Sequence, residues 1–127
     1  MGDITADPTQ STAFWPTELK LDKDGRVLTV SFDDGMHFAL PAELLRVLSP
    51  SAEVQGHSPE QRVTVPGKKD VRVLRLDPVG TYAVRITFDD GHNTGLYVWD
   101  YLRDLGENQD ARFRSYLNEL ADKGLTR

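Results

Sequence analysis

Two hexapeptides in this chain are nearly the same: Val30-Ser31-Phe32-Asp33-Asp34-Gly35 returns as Ile86-Thr87-Phe88-Asp89-Asp90-Gly91, fifty-six residues later. Their flanks agree as well. Leu28, Val30 and Phe32 alternate with Thr29 and Ser31, and Val84, Ile86 and Phe88 alternate with Arg85 and Thr87, a period of two that predicts half-buried strands. Asp34-Gly35 and Asp90-Gly91 are hairpin signals, because a type I′ turn needs positive φ and these residues tolerate it. Leu45-Arg46 then recurs as Leu102-Arg103 at a spacing of fifty-seven, so one residue is inserted between turn and helix in the second copy. Each copy reads as strand, hairpin, strand, short helix. Two copies are too few for a solenoid, which needs about three to bury a core. The expected architecture is therefore a single α+β domain in which two related ββα units share one antiparallel sheet. A chain of 127 residues supports one such core and not two.

Around the repeat, residues 1–15 carry few apolar groups and predict a disordered lead, with Phe14 and Trp15 tacking its end onto the body. Leu19 and Leu21 alternate with Glu18, Lys20 and Asp22 and predict a strand from Pro16, closed by a turn at Lys23-Asp24-Gly25. Phe38 and Leu40 predict the return strand. Pro41 suits the first turn of a helix, where its missing N–H costs nothing, and Leu44, Leu45 and Leu48 supply the apolar face of a short helix ending before Pro50. Residues 49–70 hold three prolines and two glycines and read as a long functional or mobile connection. Val71 to Gly80 predict one more strand, broken at Asp77-Pro78. Within residues 107–127, Phe113, Tyr116, Leu117 and Leu120 predict a C-terminal helix packed on the body formed by residues 16–106. Asn108 or Asp110 can cap it and Gly124 can end it.

Composition removes whole classes of function. There is no cysteine, so disulfides, thiolate catalysis and cysteine-ligated clusters are excluded. A net charge of -5 argues against a general nucleic-acid binder, which usually shows a basic surplus. No apolar run reaches the roughly 18 residues of a membrane span, and the acidic start MGDITADPTQ predicts neither a secretory signal nor myristoylation. A cytoplasmic protein is expected.

Few residues point to chemistry. His37 and His92 follow the two Asp-Gly turns, and His57 sits beside Glu53 in the connection. Imidazole and carboxylate could together bind a divalent cation, which makes His92, His57, Glu53 and Asp90 candidate ligands for iron or zinc. The plainer reading, a turn aspartate and a histidine on an exposed strand, is favoured. Ser49 and Ser51 lack the strand-to-helix elbow of an activated serine, and no phosphate-binding glycine loop is present. Tyr97, Trp99 and Tyr101 lie in YVWDYL. Read as helix, that run turns Val98, Tyr101, Leu102 and Leu105 inward and leaves Tyr97 and Trp99 on another side. Trp99 there caps the core edge or, with Tyr97 and Arg46, anchors a partner protein. Arg62, Lys68, Lys69, Arg72 and Arg75 cluster without interleaved aromatics and read as a salt-bridged edge.

LPAELLRVLSPSAEVQGH (40–57) and GTYAVRITFDDGHNTGLYVWDYLRDLG (80–106) resemble the small domain at the N-terminus of gamma-butyrobetaine hydroxylase, and more closely the stand-alone bacterial proteins built from it. The likeness runs from about Pro16 to Gly106 and implies a compact α+β domain without the catalytic jelly roll. The family's zinc ligands, three cysteines and a histidine, fall here on Ser49, Ser51, Val54 and His92. One ligand of four remains, so the resemblance implies no such zinc site, and the serines or packing of Val54 must hold this loop instead. Similar domains are appended to carrier ATPases of iron–sulfur assembly. The expected role is a non-catalytic accessory or protein-interaction module, linked to metalloprotein or iron–sulfur assembly. Its surface would be the 49–70 segment with the 91–99 junction. The alternative is a metal-binding protein using His92, and an enzyme is not expected.

Overall fold

A computed structural model describes residues 14–56 and 58–127. The expected lead is therefore seen only at Phe14 and Trp15, and residues 1–13 lie outside the described residues. The chain runs β1 (Pro16–Leu21), β2 (Val27–Phe32), β3 (His37–Pro41), α1 (Ala42–Val47) and α2 (Ala52–Gln55). A 3-10 turn at Pro59–Gln61 follows, then β4 (Val73–Val79), β5 (Ala83–Phe88), β6 (Leu96–Val98), α3 (Trp99–Glu107) and α4 (Gln109–Asp122).

The repeat is larger than its sequence suggests. β1 pairs with β2 through Pro16↔Phe32 and Glu18↔Ser31, with a bulge between Pro16 and Glu18. β4 pairs with β5 through Val73↔Phe88 and Arg75↔Thr87, with a bulge between Val73 and Arg75. The backbone repeats these details on both sides: Asp33 N–H donates to the Trp15 carbonyl and Asp89 N–H to the Arg72 carbonyl, each at 2.9 Å. Each unit is therefore βββα, and β4 is the counterpart of β1. Pro78 does not break β4, because this strand lies at an edge of its sheet, where a missing donor is tolerated.

The α+β class and the paired units hold, but the single shared sheet divides into two three-stranded antiparallel sheets, β1-β2-β3 and β4-β5-β6. The connection delivers β4 to the Lys23-Asp24-Gly25 turn and not to a free strand edge. One backbone bond stands there in place of a ladder, from Val73 N–H to the Gly25 carbonyl at 2.7 Å. Both sheets and the helices instead share one apolar core. Leu28, Val30 and Phe32 contribute from one unit, Val84, Ile86 and Phe88 from the other, and Tyr116 and Leu120 from α4. Leu117 of the same helix stays outside. A Schellman motif closes α4, with Leu125 N–H bonded to the Leu120 carbonyl, Gly124 N–H to the Ala121 carbonyl, and Gly124 at φ +66. No helix among the described residues is long and apolar enough to cross a membrane.

The units are also stitched crosswise. Arg103 of α3 grips Asp34 in the turn of the first unit, with Nη1 to Oδ1 at 3.0 Å and Nη2 to Oδ2 at 2.9 Å. Arg46 of α1 grips Asp90 in the turn of the second unit, with Nε to Oδ2 at 2.7 Å. Each Leu-Arg helix thus holds the other unit's Asp-Gly turn. The aspartates that read as turn residues serve two purposes.

Candidate functional site

The two units part company where each hairpin meets the other unit's helix end. In one contact, Phe38 packs on Gly106, so closely that a Cβ on Gly106 would lie 2.4 Å from the ring. In the equivalent contact the large and small partners are exchanged, and a Cβ on Gly95 would lie 2.4 Å from Ser49 Oγ. An apolar plug fills the first contact and a polar cluster fills the second. The extra residue of the second unit falls here, and residues 92–95 leave the strand ladder to accommodate it.

That cluster is built on His92. Ser49 follows α1 and is fully buried, with Oγ 2.9 Å from His92 Nε2. Ser51 occupies the N-cap position of α2, yet its hydroxyl makes no cap bond and lies 3.4 Å from the same Nε2. Ser49 Oγ also accepts the Ser51 N–H at 3.3 Å. The Glu53 carboxylate faces Nδ1 at 3.4 Å and so assigns the proton of the neutral imidazole to Nδ1, leaving Nε2 to accept from the serine hydroxyls. Thr94 Oγ1 donates to the same carboxylate oxygen, and Gln55 donates to the Ser49 carbonyl at 2.9 Å. Below the imidazole, Asp90 accepts the His92 N–H at 3.0 Å, Arg46 Nε at 2.7 Å and Lys68 Nζ at 2.6 Å.

Electrostatics follow from this packing. Burial alone would raise the Asp90 carboxyl, but hydrogen bonds from Lys68, the His92 backbone and Arg46 outweigh it and hold Asp90 well below the usual carboxylate range. Burial lowers the His92 pKa and neighbouring Arg46 lowers it further, against Glu53 and Asp90. Unfolded histidine titrates near pH 6.5 and folded His92 below it, so just under that pH the unfolded state holds more protons. The stability His92 contributes is therefore present above about pH 6.5 and lost as pH falls toward the folded value. Urea unfolding followed between about pH 7.5 and 5.5 is expected to show this loss, and His92→Gln to flatten it. An equal slope in the variant would remove His92 as its source.

Serine, histidine and carboxylate lie in the order of a nucleophile, its base and an orienting group. Here the nucleophile is closed off, since Ser49 is fully buried beneath Gly95 and no external carbonyl can reach it. The zinc ligand set does not fit either. Val54 is buried without a donor atom, and the Nε2 lone pair a metal would need already takes the Ser49 proton. The serines do hold this loop, as its lack of cysteine requires.

Of the remaining metal candidates, Asp90 and Glu53 flank His92 without forming a ligand set. Asp90 is engaged by two cations, the Glu53 side chain is largely exposed, and His57 lies outside the described residues. Among the described residues no group of three His, Asp or Glu side chains gathers to hold a metal ion. The expected partner anchors are core residues. Tyr97 is fully buried, lies in a strand opposite Val84 and donates its hydroxyl to the Leu45 carbonyl at 2.5 Å. Trp99 begins α3, buried, with its indole N–H on the Thr81 carbonyl at 2.8 Å. Val98, expected inward, is exposed, because strand alternation governs Leu96–Val98 and the helix starts only afterwards. Arg46 is half-buried and committed to Asp90. Three of the five residues of the basic cluster are salt-bridged, Arg62 on Glu119, Lys68 on Asp90 and Arg75 on Asp77. Thr94, Gln55 and Gly95 carried no signal in the sequence, since their roles exist only once the hairpin lies on the α1–α2 corner.

Comparison with known proteins agrees with this architecture. The gamma-butyrobetaine hydroxylase-like N-terminal family matches residues 19–103. A solution NMR structure 48% identical superposes with a TM-score of 0.79, covering 93% of this chain and 88% of its own. A second NMR structure is 43% identical with a TM-score of 0.77, covering 90% of each chain. The crystal structure of a protein of unknown function in the DUF971 family from Acidithiobacillus ferrooxidans is 39% identical, with a TM-score of 0.61 over 80% of this chain and 98% of its own. No curated protein matches. The chain belongs to the gamma-butyrobetaine hydroxylase-like N-terminal domain family.

Proposed function

We propose that this domain is a non-catalytic accessory module of the cytoplasm that acts by binding a protein partner, in the service of metalloprotein or iron–sulfur assembly. The observation that carries the reading is the inward closure of the catalysis-like cluster found among the described residues: the Ser49 hydroxyl is spent on His92 under Gly95 and has no outside substrate. Recognition is left to the surface. The 49–70 segment beside the 91–99 junction offers exposed Val63, Glu53, Asn93 and Thr94 on a backbone pinned from beneath. Val63 N–H bonds the Val54 carbonyl at 2.7 Å, and Tyr116 donates its hydroxyl to the Val65 carbonyl at 2.5 Å. A mixed apolar and polar face suits protein recognition.

The test is affinity capture from the protein's own host, comparing wild type with Val63→Asp and with the distant surface variant Lys20→Asp. Capture of a metalloprotein-assembly component that Val63→Asp loses and Lys20→Asp keeps is the expected result, with unfolding midpoints unchanged. Equal capture by all three proteins overturns the proposed surface.

A second reading, a metal-binding protein using His92 with Glu53, His57 and Asp90, draws on the 3.4 Å approach of Glu53 to His92 Nδ1. Metal analysis of protein purified without a histidine tag decides it. Stoichiometric iron or zinc lost in His92→Ala favours that reading, and metal-free wild type removes it.

A further inference from the structure

A pocket beside the first turn of α1 already holds a side chain, and that side chain is a guanidinium. The Glu43 carboxylate is 7% exposed. Arg127 Nε donates to its Oε2 at 3.0 Å and Nη2 to its Oε1 at 2.7 Å, the two-pronged geometry of a planar fork on a carboxylate. The guanidinium carbon lies 5.3 Å from the centre of the Phe113 ring, within reach of its π face. Gln109 and Asp110 of α4 stand on the walls of the adjoining cavity, about 170 Å³ in volume, which remains open with Arg127 in place.

Receptor and occupant differ in how firmly they are held. Glu43 sits on a helix whose neighbours Ala42, Leu44 and Leu45 are buried in the core. Arg127 belongs to the segment beyond α4, its side chain is 45% exposed, and the segment is tied back by Thr126 accepting the Gly67 N–H at 3.0 Å. A buried carboxylate stripped of its cation is costly, so the pocket favours a positive group. Two parallel acceptors and an aromatic face select a guanidinium over an ammonium, which is a point charge without the fork.

We propose that the Glu43–Phe113 pocket is an arginine-side-chain site, filled in cis by Arg127 and in trans by an arginine of a partner protein when the Arg127 side chain is displaced. The spare volume and the second carboxylate of Asp110 suit an occupant larger than the resident side chain. This site lies on α1, α4 and the following segment, apart from the 49–70 surface, and stands or falls independently of the module reading.

Titration with L-argininamide, followed by NMR of the Glu43, Leu44 and Phe113 amides, tests it. Arg127→Ala is expected to bind saturably and wild type about tenfold more weakly, because the resident arginine competes for the pocket. L-lysinamide is expected to bind neither protein measurably. The double variant Glu43→Gln/Arg127→Ala should lose the response, and Phe113→Leu/Arg127→Ala, which keeps the carboxylate, should weaken it should the first variant fail to fold. No saturable binding to Arg127→Ala, equal binding of L-lysinamide, or equal affinities of wild type and Arg127→Ala each overturns the proposal.

Discussion

Gly25→Ala is expected to destabilise the domain by about 3 kcal/mol, as read from urea unfolding, while Gly91→Ala loses about 1 kcal/mol. Both glycines have positive φ, +74 at Gly25 and +92 at Gly91, so the backbone strain of a substitution is common to both. Their surroundings differ. A Cβ at Gly25 would lie 2.4 Å from the Val73 carbonyl oxygen, whereas one at Gly91 meets nothing within 4 Å. The obstacle at Gly25 is backbone, which cannot rotate away as a side-chain end can. Relief of the clash must push β4 from the turn and lengthen the one bond that joins the two sheets at this seam, from Val73 N–H to the Gly25 carbonyl. Equal losses at the two positions would mean that the seam contributes nothing beyond ordinary turn strain.

Tyr97→Ala is expected to cost about 4 kcal/mol, near the limit this domain could sustain and remain folded, and Tyr97→Phe about 1 kcal/mol. Tyr97 is fully buried and stands in β6, opposite Val84 of its own unit. Its hydroxyl crosses to the Leu45 carbonyl of α1 in the first unit. Alanine removes the ring from the shared core and leaves a cavity, while phenylalanine keeps the ring and removes only the hydroxyl with its hydrogen bonds. Equilibrium unfolding of both variants checks the ratio, and a Tyr97→Ala protein as stable as Tyr97→Phe would contradict the burial. The same argument governs partner binding. Capture lost in Tyr97→Ala or Trp99→Ala reports a collapsed core and not a removed contact, so surface variants such as Val63→Asp are the ones that locate an interface.

The sequence reading was accurate where the determinant is local and failed where it is not. The Asp-Gly hairpins, the period-two strands at 28–32 and 84–88, the short helix after Pro41 and the Schellman-closed α4 depend on neighbours within a few residues, and all are present. The turns are not type I′, however: Gly35 and Gly91 take positive φ and the aspartates before them do not. β1 and β4 share no motif, so the third strand of each unit could be matched only by its bulge and register. The aromatic run was misread because three residues of strand joined directly to a helix mimic a helical stripe. Its true alternation, Tyr97 in and Val98 out, is enforced by pairing with β5.

The candidate site divides in the same way. Loss of the cysteine ligands was legible in the chain, and with it the need for another way to hold the 49–54 corner. That Ser49 and Ser51 converge on His92 was implied only by the family resemblance, which sets all three on ligand positions of one zinc site. No local motif shows it, because they lie 43 and 41 residues from His92 and meet only across the interface of the two units. Nor could the sequence show that Arg103 would hold Asp34 across 69 residues.

By itself, then, the sequence determined the family, the duplicated unit, its turns and the absence of thiol chemistry, all of which rest on residue identity or short-range periodicity. Tertiary structure alone decided that the two units form separate sheets, that their arginines and aspartates pair crosswise, and that the serine–histidine cluster is sealed under Gly95. Those outcomes depend on which distant surfaces exclude water together, and no local propensity encodes that.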